Sequence, residues 1–151
     1  MWYRIFCRGD DPLAPGALLE RLNGAGLAVE ARFRGDDLGW TGAELLIGVG
    51  SPISMERYLA KEDELRNDLN SWAAWLETCN YSPNHTMLME RIIQTAQMIT
   101  LRRPIDHADD VKLEKLCLEI CKIAASQADG IYQIDGDGWY AADGTMLLKE
   151  Y

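Results

Sequence analysis

Apolar residues recur along this chain at two different spacings, and each change of spacing predicts a change of element. Trp2 to Cys7 is rich in aromatic and branched residues and is stopped by Gly9-Asp10-Asp11-Pro12, which predicts a first strand. Pro15 then opens a short helix with Leu18, Leu19 and Leu22 inward, closed at Gly24 or Gly26. From Leu27 the period falls to two: Leu27, Val29, Ala31 and Phe33 alternate with Ala28, Glu30, Arg32 and Arg34, as in a strand with one wet face at or near a sheet edge. Ala43 to Val49 is apolar at nearly every position, the pattern of a central strand covered on both faces.

The longest run with one helical period is Ser51 to Cys79, where Leu65, Leu69, Trp72, Leu76 and Cys79 fall on one stripe, with Tyr58 two turns earlier. Ser51-Pro52 supplies a cap and a first helical residue. A second helix is expected over Pro83 to Leu101, with Leu88, Ile92, Ala96 and Ile99 on its stripe. A third is expected from about Val111 to Ala125, capped by Asp109 or Asp110, with Leu113, Leu116, Cys117, Ile120 and Ala124 inward. Short runs at Ile131 to Ile134, Gly138 to Ala142 and Thr145 to Lys149 predict a C-terminal meander or hairpin, with Asp143-Gly144 as a two-residue turn. The expected architecture is a single α+β domain spanning the chain. An N-terminal split βαβ unit of ferredoxin-like arrangement leads into three long central helices, and the C-terminal strands complete the sheet.

Length and charge narrow the function classes. A chain of 151 residues suits one domain with one buried core. Asp and Glu outnumber Lys and Arg 24 to 15, a net charge of -9, which argues against a nucleic-acid partner. No apolar run approaches the roughly 20 residues that would span a bilayer, and the first residues lack a signal-peptide core, so no membrane role is expected and a cytoplasmic location is. There the four cysteines would be thiols, with no C-x-x-C pair.

Candidate chemistry is sparse. Phe6-Cys7-Arg8-Gly9-Asp10-Asp11 is echoed by Phe33-Arg34-Gly35-Asp36-Asp37, each at a strand end. If the first two strands are parallel, both loops share one end of the sheet, and Asp10, Asp11, Asp36 and Asp37 could approach one another as metal ligands or acid/base groups. Arg8 and Arg34 are placed to neutralise those carboxylates, which favours turns or a partner-binding surface over a metal; no metal site and no cofactor is expected. Asp135-Gly136-Asp137-Gly138 lacks the later ligands of an EF-hand loop, because Trp139 and Met146 stand where oxygens are needed. Gly48-Val49-Gly50 could cradle an anion if a helix followed, but Ile53 replaces the third glycine of the dinucleotide fingerprint. His85 and His107 lack local nucleophile partners, and Cys117 with Cys121, like Trp72 with Trp75, suits core packing at helical spacing. Tyr81 to Pro104 is net basic, with Glu90 against Arg91, Arg102 and Arg103, and could meet an acidic partner.

Two functions therefore compete. The first is a non-enzymatic protein-interaction module using Arg8, Asp10, Asp11, Arg34, Asp36, Asp37, Arg102 and Arg103. Such a protein could be a bacterial regulator, or an acidic chain that masks a basic partner as immunity proteins do. The second is a small enzyme built on the four aspartates, with or without a divalent metal.

Overall fold

The structure, a computed structural model, describes residues 1–150. Its elements in chain order are β1 (Trp2–Cys7), α1 (Pro15–Gly24), β2 (Glu30–Asp36), β3 (Gly39–Leu46), β4 (Ile53–Leu59), α2 (Arg66–Glu77), α3 (His85–Ile93), β5 (Gln97–Arg102), α4 (Asp110–Gln127), β6 (Gly130–Ile134), β7 (Gly138–Ala141) and β8 (Met146–Lys149). All eight strands join one antiparallel sheet in the order β2-β3-β4-β5-β1-β6-β7-β8.

The single α+β domain is as expected, but the ferredoxin-like arrangement is not what forms. β1 and β2 run in the same direction, four places apart in a sheet whose neighbours all alternate, and β3, β4 and β5 lie between them. Two of those strands fall inside stretches that the sequence pattern assigned to helices. Ser51 to Cys79 begins instead with strand β4, whose Ile53, Met55 and Arg57 turn inward while Ser54 is exposed. Only α2 keeps the helical stripe, with Leu69 and Leu76 buried, and Tyr58 fits both periods. Ser51 is therefore no helix cap; its hydroxyl donates to Asp106 at 2.7 Å. In Pro83 to Leu101 the helix stops at Ile93, and Gln97 to Leu101 belong to β5, where all five are buried because helices cover both faces of the central strands. The three long helices are thus one of 18 residues and two of 12 and 9. Ala43 to Val49 is likewise displaced. β3 starts at Gly39, lies second from the edge and leaves Thr41 and Glu44 exposed. β2 is the edge strand that its wet face predicted.

Each face of the sheet carries its own core. α1 and α4 pack Leu18, Leu22, Leu116 and Ile120 against Ile5, Ile53, Met55, Ile99 and Tyr132. The last and longest helix is capped as predicted, Asp109 Oδ1 accepting from the Lys112 amide at 3.0 Å. On the opposite face α2 and α3 bring Leu69, Leu76, Leu88 and Ile92 against Phe6, Met98, Ile131 and Trp139. Trp72 and Trp75 join this second core, their rings 5.7 and 6.3 Å from that of Trp139. The C-terminal meander forms as expected, and all four cysteines are buried thiols.

The two margins of the sheet differ. On β8 the Leu147 carbonyl accepts from Asn84 Nδ2 at 2.8 Å and from the Ser82 hydroxyl at 3.4 Å, and the Lys149 carbonyl accepts from the Tyr81 hydroxyl at 3.0 Å. That margin is occupied by the α2–α3 connection. Among the described residues no other element bonds to the outer side of β2.

Candidate binding groove at the upper end of the sheet

Call the end where β1 and β2 finish the upper end. There β4 and β5 bring two long polar side chains inside: Arg57 is 5% exposed and Gln97 is fully buried. A guanidinium in that position is costly unless its donors are used. Arg57 Nε donates to Gln97 Oε1 at 2.7 Å, Nη1 to the Leu38 and Trp40 carbonyls at 3.1 and 3.2 Å, and Nη2 to the Asp10 carbonyl at 3.1 Å. Gln97 Nε2 in turn donates to the carbonyls of Gly9 and Asp11 at 2.8 and 2.9 Å. Burial lowers the Arg57 pKa from its usual value, with Asp10, Asp36 and Asp63 pulling the other way.

This pair answers the question posed by the two Arg-Gly-Asp-Asp segments. The loop after β1 and the hairpin after β2 do meet, but through main-chain carbonyls converging on Arg57 and Gln97 rather than through carboxylates. Gly39 (φ 110) allows the close approach: a side chain there would stand 3.1 Å from Pro12 and 3.2 Å from the Arg57 guanidinium. Asp10, Asp11, Asp36 and Asp37 are all exposed, and Asp36 Oδ1 accepts from the Leu38 amide at 2.8 Å. Among the described residues no three His, Cys, Asp or Glu side chains converge so as to hold a metal ion.

The expected neutralising arginines are engaged elsewhere. Arg8 grips Asp129 through Nε and Nη2 at 2.9 and 3.2 Å and reaches Gln94 Oε1 at 3.1 Å. These bonds hold the Asp129 carboxyl below the usual carboxylate range. Arg34 lies across Gly42 to meet Glu56 at 2.7 Å. Asp10, Asp11 and Asp37 are left without an ion-pair partner among the described residues. Arg102 and Arg103 are at the lower end, where they line a separate cleft of about 500 Å³. Arg102 stacks 5.6 Å from the Trp2 ring, and Arg103 donates to the Asp110 carbonyl at 3.1 Å.

A groove of about 350 Å³ opens beside the locked loops, lined by Leu38, Leu59, Ala60, Ile93 and Ala96 together with Asp10, Lys61, Glu62 and Arg66. Leu38 at the hairpin tip is 52% exposed and Ile93 at the end of α3 is 55% exposed. Arg66 Nη1 donates to the Ile93 carbonyl at 3.1 Å and so fixes the far wall. No family model matches the sequence, and no curated protein or solved structure matches the chain.

The remaining candidates resolve as local structure. Gly48-Val49-Gly50 leads into β4, so no helix N-terminus stands behind it, and Gly50 packs against His107. His107 holds the Ile47 carbonyl through Nε2 and accepts from the Asp109 amide through Nδ1. His85 is bonded to the Ser82 carbonyl at 2.9 Å. Asp135 pairs with Arg4, and the Asp137 carboxylate accepts from the Tyr140 hydroxyl. Sequence reasoning did not single out Arg57, Gln97, Leu38 or Ile93. The alternation Ile53, Met55, Arg57 was the available signal for the first of these, and it was hidden by reading a helix there.

Proposed function

We propose that this protein is a non-enzymatic binding module whose upper end receives a cationic segment of a partner protein, with one aliphatic side chain of that segment seated between Leu38 and Ile93. The observation that carries the proposal is the Arg57–Gln97 lock. It fixes both loops through their carbonyls and leaves their carboxylates facing solvent beside an apolar groove. Within the groove Asp10 and Glu62 are matched by Lys61 and Arg66, so the preference for a positively charged visitor rests on the unpaired Asp11 and Asp37 and the exposed Glu64 around it and on the net charge of -9, which adds long-range attraction. An apolar contact in a groove rimmed by charge is the usual division between affinity and steering. The carboxylates are spread around two loops rather than gathered over a reacting atom, so the geometry supports binding better than hydrolysis.

The test is fluorescence anisotropy with labelled lysine- and arginine-rich peptides carrying a central Leu or a central Ala. The leucine peptide should bind more tightly, lose affinity with rising salt, and lose its advantage on Leu38→Ser or Ile93→Ser. Equal binding of both peptides to wild type and to both variants would refute the groove as the docking site.

A further inference from the structure

Independently of the upper groove, we infer that the outer edge of β2 is a self-association surface, on which a second copy of this chain adds its own β2 in antiparallel register about Arg32.

The starting point is the asymmetry of the sheet. Side chains of the α2–α3 connection cover β8, whereas β2 offers a seven-residue strand whose outer side no other described element bonds. Unpaired edges are templates for another strand, and a two-fold axis through one residue is the simplest closed solution. Such a pair must keep the faces in phase, because a one-residue slip would turn Ala31 and Phe33 from the α1/α4 side to the charged side.

Charge then selects among the in-phase registers that pair at least five strand residues. Centring on Phe33 sets Arg32 against the second copy's Arg34 and Glu30 against its Asp36, so every charged pair is of like sign. Centring on Arg34 gives two Arg32–Asp36 pairs but needs regular strand through Gly35, and the β2–β3 ladder shifts register between Arg34 and Gly35. Centring on Arg32 pairs Glu30 with Arg34 twice and Ala31 with Phe33 twice. It uses only residues 30 to 34, the stretch before that irregularity. Its one like-charge pair, Arg32 with itself, is moderated by Glu44, the cross-strand neighbour of each Arg32. Arg34 already meets Glu56, but that pair is exposed and exchanges readily for a second carboxylate. Charge thus excludes the Phe33 register, strand regularity excludes the Arg34 register, which carries its own Arg34–Arg34 pair, and the Arg32 register remains; in it the two upper grooves would point in opposite directions.

Two experiments decide the matter. In sedimentation velocity across a dilution series the wild type should dimerise. Glu30→Arg should be monomeric with unchanged circular dichroism, and Glu30→Arg/Arg34→Glu should recover the dimer. In bis-maleimide cross-linking the native cysteines are buried, so an introduced thiol reports the register: Arg32→Cys should cross-link, and Phe33→Cys and Arg34→Cys should lag. A wild type monomeric at every concentration, failure of the double variant to recover, or preferential cross-linking at Phe33→Cys would overturn the inference.

Discussion

Arg57 shows how one side chain can carry a loop arrangement. Its donors satisfy Gln97 and three main-chain carbonyls from two loops, so truncating it leaves several buried acceptors unpaired at once. Arg57→Met keeps the aliphatic stem. It should cost about 3 kcal/mol in urea unfolding, because each orphaned buried group is worth roughly 1–3 kcal/mol and partial hydration recovers some of the loss. Arg8→Ala breaks an exposed pair with Asp129 and should cost no more than about 1 kcal/mol. Equal effects would show that the lock contributes no more than surface charge. The alternation Ile53, Met55, Arg57 places Arg57 on the inward face only once this stretch is read as a strand, and which carbonyls meet a charge buried there depends on the loops that the fold delivers to it. The aspartates were legible as a pair of like-placed loops, but their release from Arg8 and Arg34 was not. Asp129 lies far along the chain, and Glu56 sits on a strand that the sequence pattern had assigned to a helix.

Elements were legible where turn residues marked their ends or one helical period ran without interruption. β1 and the C-terminal strands are bounded by Gly and Asp turns, α1 and α4 carry a single helical period, and all form close to where the pattern put them. β5 has neither a period nor a marked start: Gln97 to Leu101 are buried on both faces, and Gln94-Thr95-Ala96 puts no Gly, Pro, Asn or Asp between it and α3. In β4 the inward residues are followed by Tyr58, which lies in step with the stripe of α2, so a strand and a helix merged into one apparent helix. α2 itself supplies a direct check. Leu69 is 1% exposed in the second core and Asn67 faces solvent. Leu69→Ala should lower stability by about 2–5 kcal/mol and Asn67→Ala by less than about 0.5 kcal/mol, read from chemical denaturation. Reversed magnitudes would mean that the helix is rotated from the orientation described.

Across the whole molecule the cysteines and tyrosines tie stability to alkaline pH. Burial pushes Cys7 and Cys117 up to about 12 from an ordinary 9.0, raises Cys121 well above that ordinary value, and pushes Tyr3 and Tyr132 up to about 12 from 10.0. An acid whose folded pKa is raised stays neutral in the native state and ionises first in the unfolded state. Its contribution is thus complete below the unfolded pKa and is lost as pH rises through the folded one. The unfolding free energy should hold to about pH 9 and fall steadily from there toward pH 12. A thiol reagent should find no fast-reacting group in the native protein and four after denaturation. Rapid native labelling, or a flat alkaline profile, would contradict the buried placement. The strand order belongs to this scale and was the least legible feature. β1 pairs with β5 and β6, ninety or more residues away along the chain, and no local spacing encodes a pairing at that distance.

The chain leaves the sheet at Ala60 and returns at Ala96, and at that point the Ala60 amide donates to the Ala96 carbonyl at 2.9 Å. Residues 61–95 are therefore an excursion with a single doorway, and β4 and β5 on either side of it already form a complete hairpin ladder. Because α2 and α3 pack mainly on each other and on one face of the sheet, opening this lobe would break no strand pairing; it would expose Phe6, Met98 and Trp139 and break the bonds of Tyr81, Ser82 and Asn84 to β8 and of Arg91 to Asp129. The upper groove lies across the doorway, touching the departing chain at Leu59 to Glu62 and the returning chain at Ile93 to Ala96. A molecule seated there would clasp the two ends together and hold the lobe shut.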